Sequence, residues 1–191
     1  RYKLSTDDCQ AIRLFMQSDA DALLQRCEAE AAGRLINRLS CIRCHDRDGL
    51  TAIRMELLAE EGSGRLPEFL PDLTWTGEKL KADWTSRLLL GKLSGRVRPW
   101  LSARMPCFPE YAEILAVGLA HQHGLDPASS EPVIVDPDLV DAGRQLIERT
   151  GLDCLQCHGV GAEMPRGDDR TQIALGINFE DVGSRMRYDY Y

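Results

Sequence analysis

The sequence predicts an all-α protein, and two observations carry that prediction. Apolar residues recur at helical spacing in several stretches, most clearly over residues 23–35. Glycine and proline break up the intervening stretches, and only the short run 133–135 has the β-branched character of a strand. The chain of 191 residues is long enough for one medium domain or two small ones.

The N-terminal part of the chain predicts two helices. Ser5 or Thr6 is a candidate N-cap followed by two acidic residues, so a helix is expected over 6–17. Asp19 or Asp21 opens a second predicted helix that runs to about Leu39.

The central part predicts helices separated by irregular stretches. A short helix is expected over 52–60, and the apolar stripe Leu80, Trp84, Leu88 predicts another over 77–90. Three prolines make the segment 91–109 extended, a helix follows over 110–122, and residues 124–137 form a proline-rich linker.

Composition excludes two classes of protein. The formal net charge of −7 argues against a nucleic-acid-binding face, which is normally basic. No apolar run approaches the roughly 18 residues that a membrane span needs, so no membrane span is expected in this chain. Acidity favours solubility, with docking of a basic partner as the alternative.

The chain carries an internal repeat. Ala-Gly-Arg followed by apolar residues occurs at 32–36 and again at 142–147, each time before a C-x-x-C-H unit. Downstream of these units, residues 77–84 and 183–190 share a pattern of Gly, polar residues, a cation and Asp before an aromatic residue. Two homologous modules are therefore predicted, and a helix is expected over 183–191.

The two C-x-x-C-H units are Cys41-Ile42-Arg43-Cys44-His45 and Cys154-Leu155-Gln156-Cys157-His158. Two thiols three positions apart can each add to one of the two vinyl groups of a haem, and the adjacent His then binds the iron. The sequence thus predicts two covalent haem c groups, bound through these four cysteines with His45 and His158 as iron ligands.

A zinc site and a thioredoxin-like redox pair are two other interpretations of the cysteine pairs, and both fit the sequence less well. A four-cysteine zinc site normally has its halves about 15–20 residues apart, whereas Cys41 and Cys154 are 113 positions apart. A thioredoxin-like redox pair needs a strand and helix of a parallel sheet, and the sequence predicts none.

These residues resemble class I cytochrome c modules. The runs Gly77-Glu78-Lys79-Leu80, Val97-Arg98-Pro99-Trp100 and Arg104-Met105-Pro106 look more narrowly like the multi-haem cytochrome c domains of Planctomycetes-type bacteria. The resemblance implies two tandem helical modules around covalent haems, with module 1 at 21–126 and an incomplete module 2 at 127–191. Residues 1–20 then resemble the C-terminal helix of a preceding or swapped module.

The resemblance also implies roles for individual residues. Met105, which lies 60 positions after His45, becomes the second axial ligand of the first iron. Arg98 and Trp100 become donors to a haem propionate, or alternatively a solvated Arg and a packed Trp. Gly33 and Gly143 are expected where the first and last helices of a module cross.

The sixth ligand of the second iron stays open at this stage. By the repeat, its Met is expected near position 211, beyond the last residue, which predicts a chain excised from a longer series of modules. The other candidates are a segment of a neighbouring copy, in a homo-oligomer that completes module 2, or an open reactive iron. A same-chain Met164 or Met186 opposite His158 would overturn all three.

The function implied is electron transfer by a di-haem c-type cytochrome or a fragment of a multi-haem one. The alternative is a di-haem redox enzyme of the peroxidase type, in which the second iron is open. Redox proteins or a larger respiratory or cytochrome assembly are the expected partners. The expected location is the periplasm or another extracytoplasmic compartment, where haem is attached to C-x-x-C-H.

Three cysteines lie outside the haem motifs. Cys9 and Cys27 fall within predicted helices, which favours buried free thiols. One disulfide among Cys9, Cys27 and Cys107, with one free thiol remaining, is the alternative.

Overall fold

The computed structural model describes residues 3–18, 27–55, 70–95, 104–128, 135–148, 150–167 and 176–190. In these ranges the chain is helical and contains no β-strand, only isolated β-bridges, which confirms the predicted all-α class. The α-helices are α1 (Thr6–Ser18), α2 (Glu28–Arg38), α3 (Thr76–Lys79), α4 (Ala82–Leu89), α5 (Ala112–Gln122), α6 (Pro137–Ile147) and α7 (Glu180–Arg185). Short 3-10 helices lie at Cys41–Arg43, Pro109–Tyr111, Cys154–Gln156 and Tyr188–Tyr190. We call residues 27–128 the first segment and residues 135–190 the second segment.

Helix α1 begins with a reciprocal cap. The backbone N–H of Asp8 donates to Ser5 Oγ at 3.1 Å, and the Asp8 carboxylate accepts from the Ser5 N–H at 2.9 Å. The two bonds satisfy donors that a helix N-terminus otherwise leaves without partners. Ser5 is therefore the N-cap, as the sequence predicted.

Helix α2 begins later than predicted. Its N-cap is Cys27, whose φ of −91° and ψ of 101° are extended, so the helix starts at Glu28. The predicted start at Asp19 or Asp21 lies outside the described residues, but a continuous helix from there through Cys27 is excluded by this extended residue.

The core of the first segment forms where α2 crosses α5. A Cβ on Gly118 would stand 2.2 Å from the Glu28 carbonyl oxygen and 2.5 Å from Ala32 Cβ. Glycine at 118 thus permits the close crossing, which buries apolar side chains of α2, α4 and α5. They are Ala32, Ile36, Leu89, Ala112, Leu115 and Leu119.

In the first segment, the glycine that the close helix crossing requires is Gly118 and not the predicted Gly33. A Cβ on Gly33 would meet only the side-chain Nε2 of Gln122, at 3.5 Å, and a Cβ on Gly143 would meet nothing within 4 Å. The small residue is needed on α5 instead, because the backbone of α5 at Gly118 lies directly against the backbone of α2 at Glu28.

Helix α3 also lies against the backbone of α5. A Cβ on Gly77 would stand 1.8 Å from the Leu119 carbonyl oxygen. Helix α5 therefore packs against α2, α3 and α4. Trp84 of α4 is buried.

The helix predicted over 77–90 is broken into α3 and α4. Leu80, with φ −105° and ψ 143°, is extended and forms an antiparallel bridge with Met186. The Lys81 N–H donates to the Arg185 carbonyl and the Arg187 N–H to the Lys79 carbonyl, both at 2.9 Å. The break therefore joins the two segments.

The helix predicted over 183–191 is likewise interrupted by an extended residue. Helix α7 covers Glu180–Arg185, Met186 is extended, and a 3-10 turn follows at Tyr188–Tyr190. The repeat places Met186 at the position of Leu80, and both leave the helix to pair with each other.

The remaining predicted elements are described in part. Residues 53–55 are helical within the predicted 52–60. Residues 104–108 have no regular secondary structure, and the Phe108 N–H donates to the Leu89 carbonyl at 2.8 Å. The described start of the predicted extended segment 91–109 is not extended, because Gly91 lies in a turn and residues 94–95 in bends. Helix α5 and the preceding 3-10 turn match the predicted 110–122. Among the described helices, none has the length and apolar character to cross a membrane.

Candidate functional site

The first C-x-x-C-H unit is a single tight turn. Ser40 takes a left-handed conformation with φ 59°, and the 3-10 helix Cys41–Arg43 follows at once. The Cys41 carbonyl accepts from the N–H of Cys44 at 3.1 Å and from that of His45 at 3.0 Å. This turn fixes the spacing of the two thiols and the imidazole.

The second unit repeats this turn almost bond for bond. Asp153 has φ 55°, and the Cys154 carbonyl accepts from Cys157 at 3.1 Å and from His158 at 3.0 Å. A left-handed conformation costs a non-glycine residue roughly 1–2 kcal/mol. Both units carry that cost at the residue before the first cysteine, so the turn is one local structure used twice.

The four motif cysteines are free thiols in the structure. Cys41 is half-buried and packs against the core, whereas Cys44 is exposed. Burial is the main cause that raises the pKa of the Cys41 thiol above its usual value. Cys154 and Cys157 are both half-buried.

Each motif histidine is oriented by one backbone carbonyl. His45 Nδ1 lies 2.8 Å from the Pro71 carbonyl oxygen, and His158 Nδ1 lies 2.7 Å from that of Ile177. A carbonyl can only accept, so Nδ1 carries the proton. In the neutral form of the imidazole, this tautomer places the lone pair on Nε2, where a metal binds.

The two orienting carbonyls occupy equivalent positions of the sequence repeat. Pro71 and Ile177 each stand six residues before the repeated glycine, Gly77 or Gly183. Sequence reasoning missed both, because the acting group is a main-chain oxygen that every residue has. The repeat spacing of 106 positions was the signal that could have paired them.

The chain returns to each motif through a second matching bond. The Leu73 N–H donates to the Asp46 carbonyl at 2.8 Å, and the Phe179 N–H donates to the Gly159 carbonyl at 2.9 Å. Asp46 and Gly159 each follow a motif histidine. The loop that supplies the orienting carbonyl is thus tied to its motif in both segments.

The predicted ligand Met105 lies in the irregular stretch 104–108 and is 42% exposed. Among the described contacts, no hydrogen bond or ring contact joins it directly to His45. The structure therefore leaves its role as the second axial ligand a prediction.

Met164 and Met186, the two same-chain candidates opposite His158, have other surroundings. Met164 is 75% exposed. The sulfur of Met186 accepts from Arg185 Nη2 at 3.7 Å, and its backbone pairs with Leu80. In these positions the sulfur atoms face solvent and a guanidinium.

Arg98 and Trp100, the predicted propionate donors, lie outside the described residues. Sequence reasoning missed two other cations, Arg185 and Arg187, which are only 7% and 3% exposed. The Arg185 guanidinium lies 5.7 Å from the centre of the Trp84 ring, and Arg187 Nη1 donates to the Asp126 carbonyl at 3.2 Å.

Cys9 and Cys27 contradict the prediction of buried thiols. Cys9, Cys27 and Cys107 are all free and all exposed. Cys27 caps a helix instead of lying inside one, and the side chains of residues 6–17, including Cys9, all face solvent.

The two cysteine pairs are not gathered into one metal site in the part of the chain that the structure describes. In those ranges no group of three or more His, Cys, Asp or Glu side chains is arranged to hold an ion. Comparison with protein-family models, curated proteins and solved structures gives no match. The function is therefore argued from the geometry of the two motifs.

Proposed function

We propose that the chain is a di-haem c-type cytochrome, or part of a multi-haem one, that transfers electrons. The observation that carries the proposal is the pair of Nδ1–carbonyl bonds at equivalent positions, in which His45 donates to the Pro71 carbonyl and His158 to the Ile177 carbonyl. Each bond leaves Nε2 of a motif histidine available to iron. The two free thiols of the same motif lie in the turn just before that histidine.

The residues of both motifs fit a covalently bound haem. Cys41 and Cys44 would hold the first haem through thioether bonds, with His45 and Met105 as iron ligands. Cys154 and Cys157 would hold the second, with His158 as its proximal ligand. A haem c iron with such ligands exchanges one electron, and a Met ligand raises its reduction potential.

The protein's own contribution is orientation. The two carbonyl bonds fix the tautomer of each imidazole before iron is bound, and the left-handed residues Ser40 and Asp153 begin the turn that carries each motif. The proposal places the protein outside the cytoplasm, where haem is attached to this motif, with redox proteins or a larger cytochrome assembly as partners.

The proposal is tested by the number of haems that survive denaturation. The chain is produced in cells that attach haem c, and its intact mass and pyridine haemochrome spectrum are recorded. We expect two haems in the wild type and one each in the paired variants Cys41→Ser/Cys44→Ser and Cys154→Ser/Cys157→Ser.

The exposed Cys9 supplies the matched control, because Cys9→Ser should retain both haems. An apoprotein mass, or bound zinc without haem, would contradict the proposal. Rapid binding of cyanide to the ferric second haem would instead favour the enzyme alternative, since a six-coordinate carrier has no open position.

A further inference from the structure

The imidazole of His158 is enclosed on more sides than its carbonyl bond requires. The Phe179 ring stacks on it, with ring centroids 4.5 Å apart and an angle of 10° between the planes. Stacking covers one face of the imidazole and leaves the ring edge that carries Nε2 accessible.

The backbone of Gly176 also approaches the imidazole face. A Cβ on Gly176 would stand 2.3 Å from Cε1 and 2.5 Å from both Nδ1 and Nε2 of His158. Three ring atoms at nearly equal distance place that point over the ring and not beyond one edge. Only glycine fits there without moving the imidazole.

The first segment has different residues at these positions. The repeat spacing that pairs Pro71 with Ile177 pairs Gly176 with Leu70 and Phe179 with Leu73. Both segments therefore share the carbonyl bond to Nδ1, but only the second combines it with an aromatic ring and a glycine.

We infer that Phe179 and Gly176 are positioning residues that fix the plane of the His158 imidazole about its bond to Ile177. The inference rests on the proposed haem ligation. Nε2 lies in the ring plane, so a stack on the face restricts rotation of the ring without blocking the iron-binding atom. The imidazole that would bind the second haem is thereby held in one narrow orientation.

The test compares Phe179→Leu, which gives the second segment the residue of the first, with the mirror variant Leu73→Phe. Electron paramagnetic resonance spectra of the oxidised holoproteins report the imidazole plane through the g values of each ferric haem. The paired cysteine variants assign each signal to its haem. Phe179→Leu should shift and broaden the second signal and leave the first unchanged, and Phe179→Tyr should restore the wild-type signal.

In Leu73→Phe the second signal should remain as in the wild type. If Phe179→Leu loses the second haem, Phe179→Met carries the same test, because it keeps volume and removes the ring. A Phe179→Leu spectrum that superimposes on the wild type with both haems present would overturn the inference alone. A wild type without haem would instead overturn the proposed function.

Discussion

Gly118 of α5 meets Glu28 of α2 at a distance that no other residue tolerates: a Cβ at 118 would stand 2.2 Å from the Glu28 carbonyl oxygen. The atom in the way belongs to the backbone at the start of α2, which cannot swing aside as a side chain can. The crossing of these two helices therefore depends on one missing methyl group.

We expect Gly118→Ala to destabilise the protein by about 1–3 kcal/mol, the usual cost of overpacking a core. The control is Gly33→Ala on α2, where the added Cβ meets only Gln122 Nε2 at an ordinary 3.5 Å. Alanine is the better helix former there, so this control should be neutral or stabilised by up to about 1 kcal/mol. Urea unfolding of both variants measures the difference, and equal midpoints would contradict the crossing described above.

Gly176→Ala should displace His158, because the new Cβ would overlap the imidazole. We expect the second haem to be lost or its absorption spectrum altered, with the first haem retained. Gly183→Ala is the matched control, since a Cβ there meets nothing within 4 Å. Haem content and visible spectra of the two variants measure the effect. An unaltered second haem in Gly176→Ala would contradict the close approach of Gly176 to the His158 imidazole.

Met105→Ala should remove the near-infrared charge-transfer band of a Met-ligated ferric haem. The potential of the first haem should fall by about a tenth of a volt or more, a modest part of the roughly 0.8 V that axial ligands span. Met164→Ala is the control, because Met164 also precedes a proline and is 75% exposed. If the band survives in Met105→Ala, another residue binds the first iron.

Acid should weaken the loop that orients His45. Asp72, next to Pro71, accepts from the Thr74 hydroxyl at 2.6 Å and from the Thr74 N–H at 2.7 Å, and these bonds lower the pKa of its carboxyl below 3.8. A lowered folded-state pKa stabilises the fold above the unfolded value, and that contribution is lost as the pH falls through the lowered value.

The stability difference between the wild type and Asp72→Asn should therefore shrink as the pH falls below about 3.8. Thr74→Val should raise the Asp72 pKa towards its ordinary value, because the hydroxyl is the largest cause of the shift. Unfolding curves at several pH values measure both effects. A pH-independent difference for Asp72→Asn would show that the carboxylate charge has no part in holding the loop.

The helices and the two motifs were predictable because their signals are local. Ser5 at a cap, the apolar spacing of Ala31 and Leu35 in α2 and the C-x-x-C-H spacing each depend on residues a few positions apart. The break at Leu80 was not predictable in this way, since its cause is a backbone pairing with Met186, which lies far along the chain. The carbonyl of Pro71 that orients His45 belongs to the main chain, so no side chain marks its position in the sequence. Whether Gly118 or Gly33 permits the helix crossing depends on which of the two lies against the backbone of the other helix.

The bridge between Leu80 and Met186 has a consequence for symmetry. The repeat spacing of 106 positions pairs Lys79 with Arg185 and Lys81 with Arg187. The hydrogen bond from Lys81 to Arg185 therefore has its equivalent in the bond from Arg187 to Lys79. A contact in which each side presents the same position to the other is isologous, the kind that closes a homodimer about a two-fold axis. The two segments of this one polypeptide thus pair at the bridge in the pattern of an isologous contact.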